Sequence, residues 1–459
     1  MERKNAWKEY SEKELKALDD ICEKYKNFLN VGKTERECVK EIVSIAKANG
    51  YVDLADIISS KKQIKAGDKI YNVGMGKTVA LFNIGTKDIE EGINILGAHI
   101  DSPRMDIKQN PLYEKDDFAY LDTHYYGGIK KYQWVTIPLA IHGVVAKKDG
   151  SVIDISIGED KDDPVFCVTD LLIHLASEQM EKKATKVIEG ENLDILFGSC
   201  PLKDEEKDAV KANVLAIIKD KYDFSEEDFL SAELEVVPAG TARDAGIDRS
   251  MVMAYGQDDR VCAYTSLAAM MEVDKVEKTT CCLLVDKEEI GSVGATGMRS
   301  KFFENTMAEI LNSMNNYNEI TLRRCLASSR MLSSDVNAAF DPTYASAFDK
   351  NNASYFGRGM VFCKFTGSRG KSGSNDANAE YIAAIRNILD ENNVCYQSAE
   401  LGKVDIGGGG TIAYILSLYG MEVIDCGVAV LNMHAPWEIT SKADIYETYK
   451  GYAAFLKEA

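Results

Sequence analysis

Five short stretches of the chain place metal-competent side chains directly after apolar runs. His99 and Asp101 follow Ile93–Ala98, and the acidic pair Asp258-Asp259, with Arg260, follows Met251–Tyr255. Asp286-Lys287-Glu288-Glu289 ends the run Cys281–Val285 and opens a loop punctuated by Gly291, Gly294 and Gly297. Asp335 comes after Cys325–Met331, and His434 after Val423–Leu431. Each stretch alone has a plain reading: an acidic turn, an ion cluster, a helix N-cap, a hydrogen-bonded surface histidine. Together they supply imidazoles and carboxylates in the proportion that holds divalent ions. Adjacent carboxylates are costly without a cation, and a metal ion is the usual remedy. In an HxD pair the imidazole binds and the carboxylate orients it. Such a centre does hydrolysis: paired ions clamp the attacking and leaving oxygens, and one unbound carboxylate serves as general base.

Composition narrows the ligand types. The chain has 459 residues, 45% apolar and 28% charged, as expected for a globular protein of two or three domains. Its eleven cysteines are scattered, without CxxC pairs, so they read as core residues in a reducing cytoplasm, not a disulfide frame or zinc-thiolate site. Any metal must then be held by His, Asp and Glu, and with only five histidines the place of each is informative. A formal charge of −19 argues against nucleic acid and anionic membranes as partners. The opening MERKNAWKEY does not read as a secretory signal, and no apolar run is long enough to span a bilayer.

The ligands converge only if the strands that carry them are neighbours, which βα topology allows, with the site at the strands' carboxyl ends. Capping-box patterns at Ser11/Glu14 and Thr34/Glu37 predict two amphipathic N-terminal helices. Strands are predicted at Lys69–Val73 and Thr78–Ile84, and the texture turns β-rich after about Met105. There Asp149-Gly150, between alternating runs, predicts a hairpin with a type I′ turn, and a helical stretch over about 204–232 closes the region. Beyond it the βα rhythm returns: strands at 279–285, 325–331, 360–366, 394–398 and 423–430, helices at 300–314, 377–391, 411–419 and from Ser441. The organisation is thus an α/β domain, 1–105 and 241–459, interrupted by an inserted β-rich domain at 106–240.

GAHIDSPR (97–104), YGQDDRVCAY (255–264), VDKEEIGSVGATG (285–297), SSDVNAAFDP (333–342) and NMHAPWE (432–438) resemble, in order, the blocks of the aspartyl aminopeptidase / aminopeptidase I family of dinuclear zinc exopeptidases. The resemblance covers nearly the whole chain. It implies a mixed-sheet, three-layer catalytic domain carrying two Zn²⁺ per subunit, with Co²⁺ or Mn²⁺ as tolerated substitutes. It further implies His99, Asp258 and Asp335 as ligands of one ion, and Asp258, Glu289 and His434 as ligands of the other. Asp101 would orient His99, and Glu288 would be the general base. It also implies that His174, in Ile173-His174-Leu175, reaches a neighbouring subunit's site and stabilises the oxyanion. From the residues alone, His174 reads as part of an apolar helix or strand. Substrates would be peptides with a free N-terminus, and the assembly a homo-oligomer, with dodecamers frequent in the family. The inserted domain would serve dimerisation and substrate access.

Selectivity within the family varies between acidic and neutral first residues. An acidic preference needs a cation in the first side-chain pocket, and Lys371 is the candidate beside the plain reading of a solvated loop lysine. The Gly407–Gly410 run with Thr411 lacks the lysine and spacing of a phosphate loop, and predicts close backbone approach to a bound peptide. Two other classes fit the same residues: a related dinuclear deacylase or carboxypeptidase, and a non-enzymatic assembly protein that keeps the fold.

Overall fold

Both N-terminal capping boxes form. Ser11 and Glu14 cap the helix Glu12–Val31, and Thr34 and Glu37 cap the helix Glu35–Ala48, each pair exchanging side-chain and backbone hydrogen bonds. The computed structural model of the chain describes residues 4–368 and 370–459. They fall into two units, one formed by the chain up to Asp101 with Ala242–Met433 and Glu438–Ala459, the other by Ser102–Thr241 with His434–Trp437.

The first unit is built on a nine-stranded sheet. Its strands in chain order are β1 (Val52–Asp53), β2 (Lys69–Gly74), β3 (Thr78–Asn83), β4 (Asn94–His99), β5 (Thr280–Val285), β6 (Arg330–Ser334), β7 (Met360–Cys363), β8 (Tyr396–Ser398) and β9 (Glu422–Gly427). Their spatial order is β1-β2-β3-β5-β4-β6-β9-β7-β8. The four central strands β5, β4, β6 and β9 run parallel, whereas β3 and β7 flank them antiparallel, so the sheet is mixed. Parallel strands are buried on both faces and therefore read as continuous apolar runs. In β5, Cys282 and Leu284 enter one core while Cys281, Leu283 and Val285 enter the other. Helices Glu12–Val31, Gln257–Glu272, Ala379–Glu391 and Lys442–Glu458 supply the first core; Phe302–Ser313 and Glu319–Ser328 supply the second. This gives the expected helix–sheet–helix layering. Each aliphatic side chain so buried stabilises the fold by about 1.5–3 kcal/mol.

Three readings change. Cys325 belongs to the helix Glu319–Ser328, capped by Asn318, and β6 begins only at Arg330. A short apolar run does not distinguish buried helix from buried strand by periodicity. The run Val423–Leu431 is broken: β9 ends at Gly427, and Ala429–Leu431 joins a separate five-stranded sheet. Met251–Ala254 also lies in that small sheet, paired with Glu438–Ser441, not in the central one.

The second unit carries a seven-stranded sheet whose strand pairs are antiparallel. Leu139–Ala146 and Val152–Ile157 form the expected hairpin. Its turn is not type I′, because only Gly150 (φ 88°) of the Asp149-Gly150 pair is left-handed. The helix predicted over 204–232 is shorter, Ala209–Tyr222, followed by a 3₁₀ segment at Glu226–Ser231.

Candidate metal centre

Parallel pairing brings the chemical residues to one sheet end. β5 and β4 pair in register up to Val285 opposite His99, and β6 lies on the other side of β4. His99 therefore ends its strand beside the start of the Asp286–Glu289 segment, with Asp335 immediately beyond β6. Asp258 arrives from another direction, in an extended conformation (φ −81°, ψ 107°) at the head of Gln257–Glu272. Its backbone N–H donates to the buried Glu438 carboxylate at 3.0 Å. Gln257 fixes this corner from beneath, donating to the carbonyls of Val252 and Glu438 and accepting from Thr440 and Tyr25.

His99 is buried, with Nε2 3.3 Å from Asp258, 3.9 Å from Asp335 and 4.0 Å from Glu288. His99, Asp258 and Asp335 each offer a ligand atom within 4.8 Å of one another, and so do His99, Glu288 and Glu289. An imidazole with two carboxylates is a donor set that suits Zn²⁺, and the residues present fit a metal ion. The charges show the same need. Burial, reinforced by the negative charge of Asp259, holds the Asp335 carboxyl well above the usual range. Burial alone would lower the His99 pKa, but hydrogen bonds to Asp101 and Asp258 overcome it and hold the ring well above its ordinary value.

Asp101 does more than its HxD spacing suggests. Its fully buried carboxylate accepts the backbone N–H of Glu288 at 3.1 Å and of Glu289 at 3.2 Å. The His99 Nδ1 lies 3.0 Å from the Asp101 carbonyl oxygen and 3.4 Å from its carboxylate. Both the carbonyl oxygen and the carboxylate of Asp101 thus face the ring, and the same carboxylate pins the glutamate pair. Arg260 steadies the preceding backbone, donating to the carbonyls of Ile100 and Lys33.

Glu288 and Glu289 sit in a 3₁₀ turn, Glu288–Ile290, entered through left-handed Lys287 (φ 70°) and left through Gly291 (φ 93°). Asp286, fully buried, accepts the Thr296 hydroxyl at 2.6 Å and so closes the loop onto its own start. Gly297 allows that closure: a Cβ there would meet the Ser292 carbonyl oxygen at 2.4 Å.

His434 lies on the loop joining Ala429–Leu431 to Glu438–Ser441, with positive φ (65°) and Nδ1 2.8 Å from the Gly128 carbonyl oxygen. His174 is exposed in a 3₁₀ turn, Ile173–Leu175, whose flanking Ile173 and Leu175 are each 68% exposed. It is in neither the apolar helix nor the strand that its neighbours suggest. Lys371 forms an ion pair with Asp376 at 2.9 Å and stacks 3.8 Å over the Phe365 ring. In the glycine loop, Gly408 (φ 111°) approaches the chain's own Gly367, whose carbonyl oxygen a Cβ would meet at 1.9 Å. Thr411 donates to the buried Asp425 at 2.6 Å. Gly408 is thus packed against the chain itself, whereas a Cβ on Gly409 or Gly410 would meet no atom within 4 Å. Glu438, Gln257 and Thr296 were not singled out from the sequence; their part appears only when the strands are paired.

The family described as "Aminopeptidase I zinc metalloprotease (M18)" matches residues 28–456. A probable M18 family aminopeptidase 1 of Clostridium acetobutylicum is 62% identical over 456 residues, covering 99% of this chain and 98% of the relative. The crystal structure of an M18 family aminopeptidase from Thermotoga maritima superposes with a TM-score of 0.95 at 45% identity, covering 100% of both chains. At 19% identity, a structure of the S. cerevisiae mApe1 dodecamer shares the fold, with a TM-score of 0.76 and coverage of 96% of this chain and 97% of that one. With family blocks, fold and a fitting donor set in agreement, the chain belongs to the M18 family of zinc aminopeptidases, the aminopeptidase I family.

Proposed function

We propose that the chain releases N-terminal residues from peptides at a two-zinc site, with Glu288 as the general base. The observation that carries this is the meeting of His99, Asp258, Asp335, Glu288 and Glu289 at the carboxyl ends of β4, β5 and β6. His99, Asp258 and Asp335 would hold one ion. Asp258, Glu289 and His434 would hold the other, and the His434 Nδ1 lies 2.8 Å from the Gly128 carbonyl oxygen. Such ions, when bound, would polarise the scissile carbonyl and acidify the attacking water.

This chain's own residues do the rest. Glu288 takes a proton from the attacking water and hands it to the leaving amine, a transfer worth about 10²–10⁴ in rate. Asp101 holds the Glu288 and Glu289 amides, so the two carboxylates keep separate stations. His174 donates to the oxyanion in a partner subunit's site; its exposure on an outward 3₁₀ turn supports that role. A homo-oligomer follows from this reading, and a dodecamer like that of the yeast protein is the form we propose. The catalytic domain is 1–105 with 241–459, and 106–240 serves dimerisation and substrate access. Eleven free thiols fit a cytoplasmic location; no helix among the described residues is long and apolar enough to cross a membrane. An acidic first residue would have to compete with Asp376 for Lys371.

The test strips the protein with chelator and reloads it with Zn²⁺, Co²⁺ or Mn²⁺. Metal stoichiometry is then measured alongside cleavage of aminoacyl, N-acyl and carboxyl-terminal substrates. Two ions per chain and cleavage confined to free N-termini are expected. Cleavage of N-acyl substrates, or full activity with a single ion, would overturn the reading.

A further inference from the structure

The second unit holds an apolar cavity of about 450 Å³ between its seven-stranded sheet and the helix Ala209–Tyr222. That size is within the range of small-molecule sites. Its deep wall is aliphatic and aromatic: Leu121, Ile141, Ile155, Val214, Ile218 and Leu234 line it and are all buried. Two aromatic pairs stiffen the lining, Phe166 stacked on Phe197 at 5.3 Å and Phe224 edge-on to Phe229 at 5.4 Å. On the open side stand Val165 and Ile217, 55% and 45% exposed, with Ser199 and Lys221.

The charges at that mouth are uneven. Of the lysines on the helix, Lys211 pairs with Glu226 and Lys219 with Asp223. Lys221 has no ion pair among the described residues, although Tyr222 and the cavity lie beside it. Asp163, whose negative charge bears on Tyr222, accepts the Gly158 N–H of its own loop at 3.0 Å. An unpaired ammonium at the rim of a deep apolar space is the arrangement that receives an anionic head on an apolar tail. A peptide fits it poorly, because the wall offers few polar groups to satisfy backbone amides.

We infer that this cavity binds a single-chain, medium-length fatty-acid carboxylate, with the acyl chain inside and the carboxylate on Lys221. It is a site separate from peptide hydrolysis.

Titration calorimetry of the full chain with dodecanoate, below its micellar concentration, tests the site. Saturable binding of one dodecanoate per chain is expected. Lys221→Met should weaken dodecanoate at least ten-fold while leaving dodecanol binding unchanged. Ile217→Trp, at the exposed mouth, should abolish binding of both, with aminopeptidase turnover and melting temperature unaltered. Dodecyltrimethylammonium, which carries the opposite charge, should bind at least ten-fold more weakly than dodecanoate. Non-saturable uptake, equal binding of the cationic amphiphile, or binding that survives both substitutions would overturn the proposal.

Discussion

Asp101→Asn is the sharpest test of how the centre is held. The Asp101 carboxylate accepts two amide hydrogens, from Glu288 at 3.1 Å and Glu289 at 3.2 Å, in a fully buried position. Asparagine is nearly isosteric but offers one oxygen and one NH₂. At one of the two amides a donor would therefore face a donor. The loss is one charge-assisted hydrogen bond, worth about 1.5–3 kcal/mol, and a stranded N–H besides. The turn's remaining main-chain bonds, among them Gly291 N–H to the Glu288 carbonyl and Ser292 N–H to the Lys287 carbonyl, lie within the loop itself, whereas the Asp101 carboxylate ties it to the end of β4. It will relax, and a displacement of about 1 Å at a reacting group lowers turnover on the order of 10²-fold. The His99 ring should stay in place, because the Asp101 carbonyl oxygen, 3.0 Å from Nδ1, survives the substitution. The expected result is a kcat fall of about 10²-fold or more, with metal content unchanged and a lowered Tm. Steady-state kinetics on an aminoacyl nitroanilide, elemental analysis and a thermal melt measure all three. Wild-type kcat would refute the reasoning. Lost metal, with activity restored by excess zinc, would show that the carboxylate acts through His99 instead.

Glu288→Gln should keep both metals yet lose about 10²–10⁴ in turnover; a lost metal would mean that the two glutamates have exchanged roles. His174→Ala should lower turnover about 10²–10³-fold, while metal content stays constant and stability shifts by no more than about 0.5 kcal/mol. Lys371→Met should reduce cleavage of aspartyl and glutamyl substrates and spare leucyl ones; an equal effect on both would remove Lys371 from the first pocket. Burial raises the Asp444 carboxyl from 3.8 to about 7, against the lowering effect of the Gly357 and Gly359 amides. Between those values the native state binds more protons than the unfolded one, so stability falls as pH rises. Measured against Asp444→Asn, the wild type should lose on the order of 4 kcal/mol from pH 4 to above pH 7, and a flat difference in unfolding free energy would refute this.

Local signals carried much of the fold. The capping boxes at Ser11 and Thr34 depend on residues three apart, and both formed. β5 was legible because a strand buried on both faces needs no alternation, and its charged end marks where the burial stops. Tertiary partners decided what was not legible. Cys325 packs equally well from a helix or a strand, so only the Asn318 cap and β6 beyond it settle its state. The break at Gly427 is set by the Asp335 backbone, whose carbonyl oxygen a Cβ would meet at 2.1 Å, and nothing within Val423–Leu431 announces that neighbour. In the same way, Lys371 reads as a free loop cation until Asp376 and Phe365 are seen beside it.

The glutamate pair has a geometry that would let adjacent identical residues take different tasks. In a 3₁₀ turn, with three residues per turn, neighbouring side chains leave the backbone roughly 120° apart. Glu288 and Glu289 therefore leave the turn in different directions, although a carboxylate oxygen of each comes within 4.8 Å of the other beside His99. With one oxygen of Asp101 on each amide, neither glutamate can rotate into the other's place without breaking a buried hydrogen bond. That asymmetry comes from a residue 187 and 188 positions away in the chain, so no motif drawn around Glu288 and Glu289 contains it. The division proposed between proton carrier and metal ligand would then be a property of the Asp101 brace as much as of the glutamates themselves.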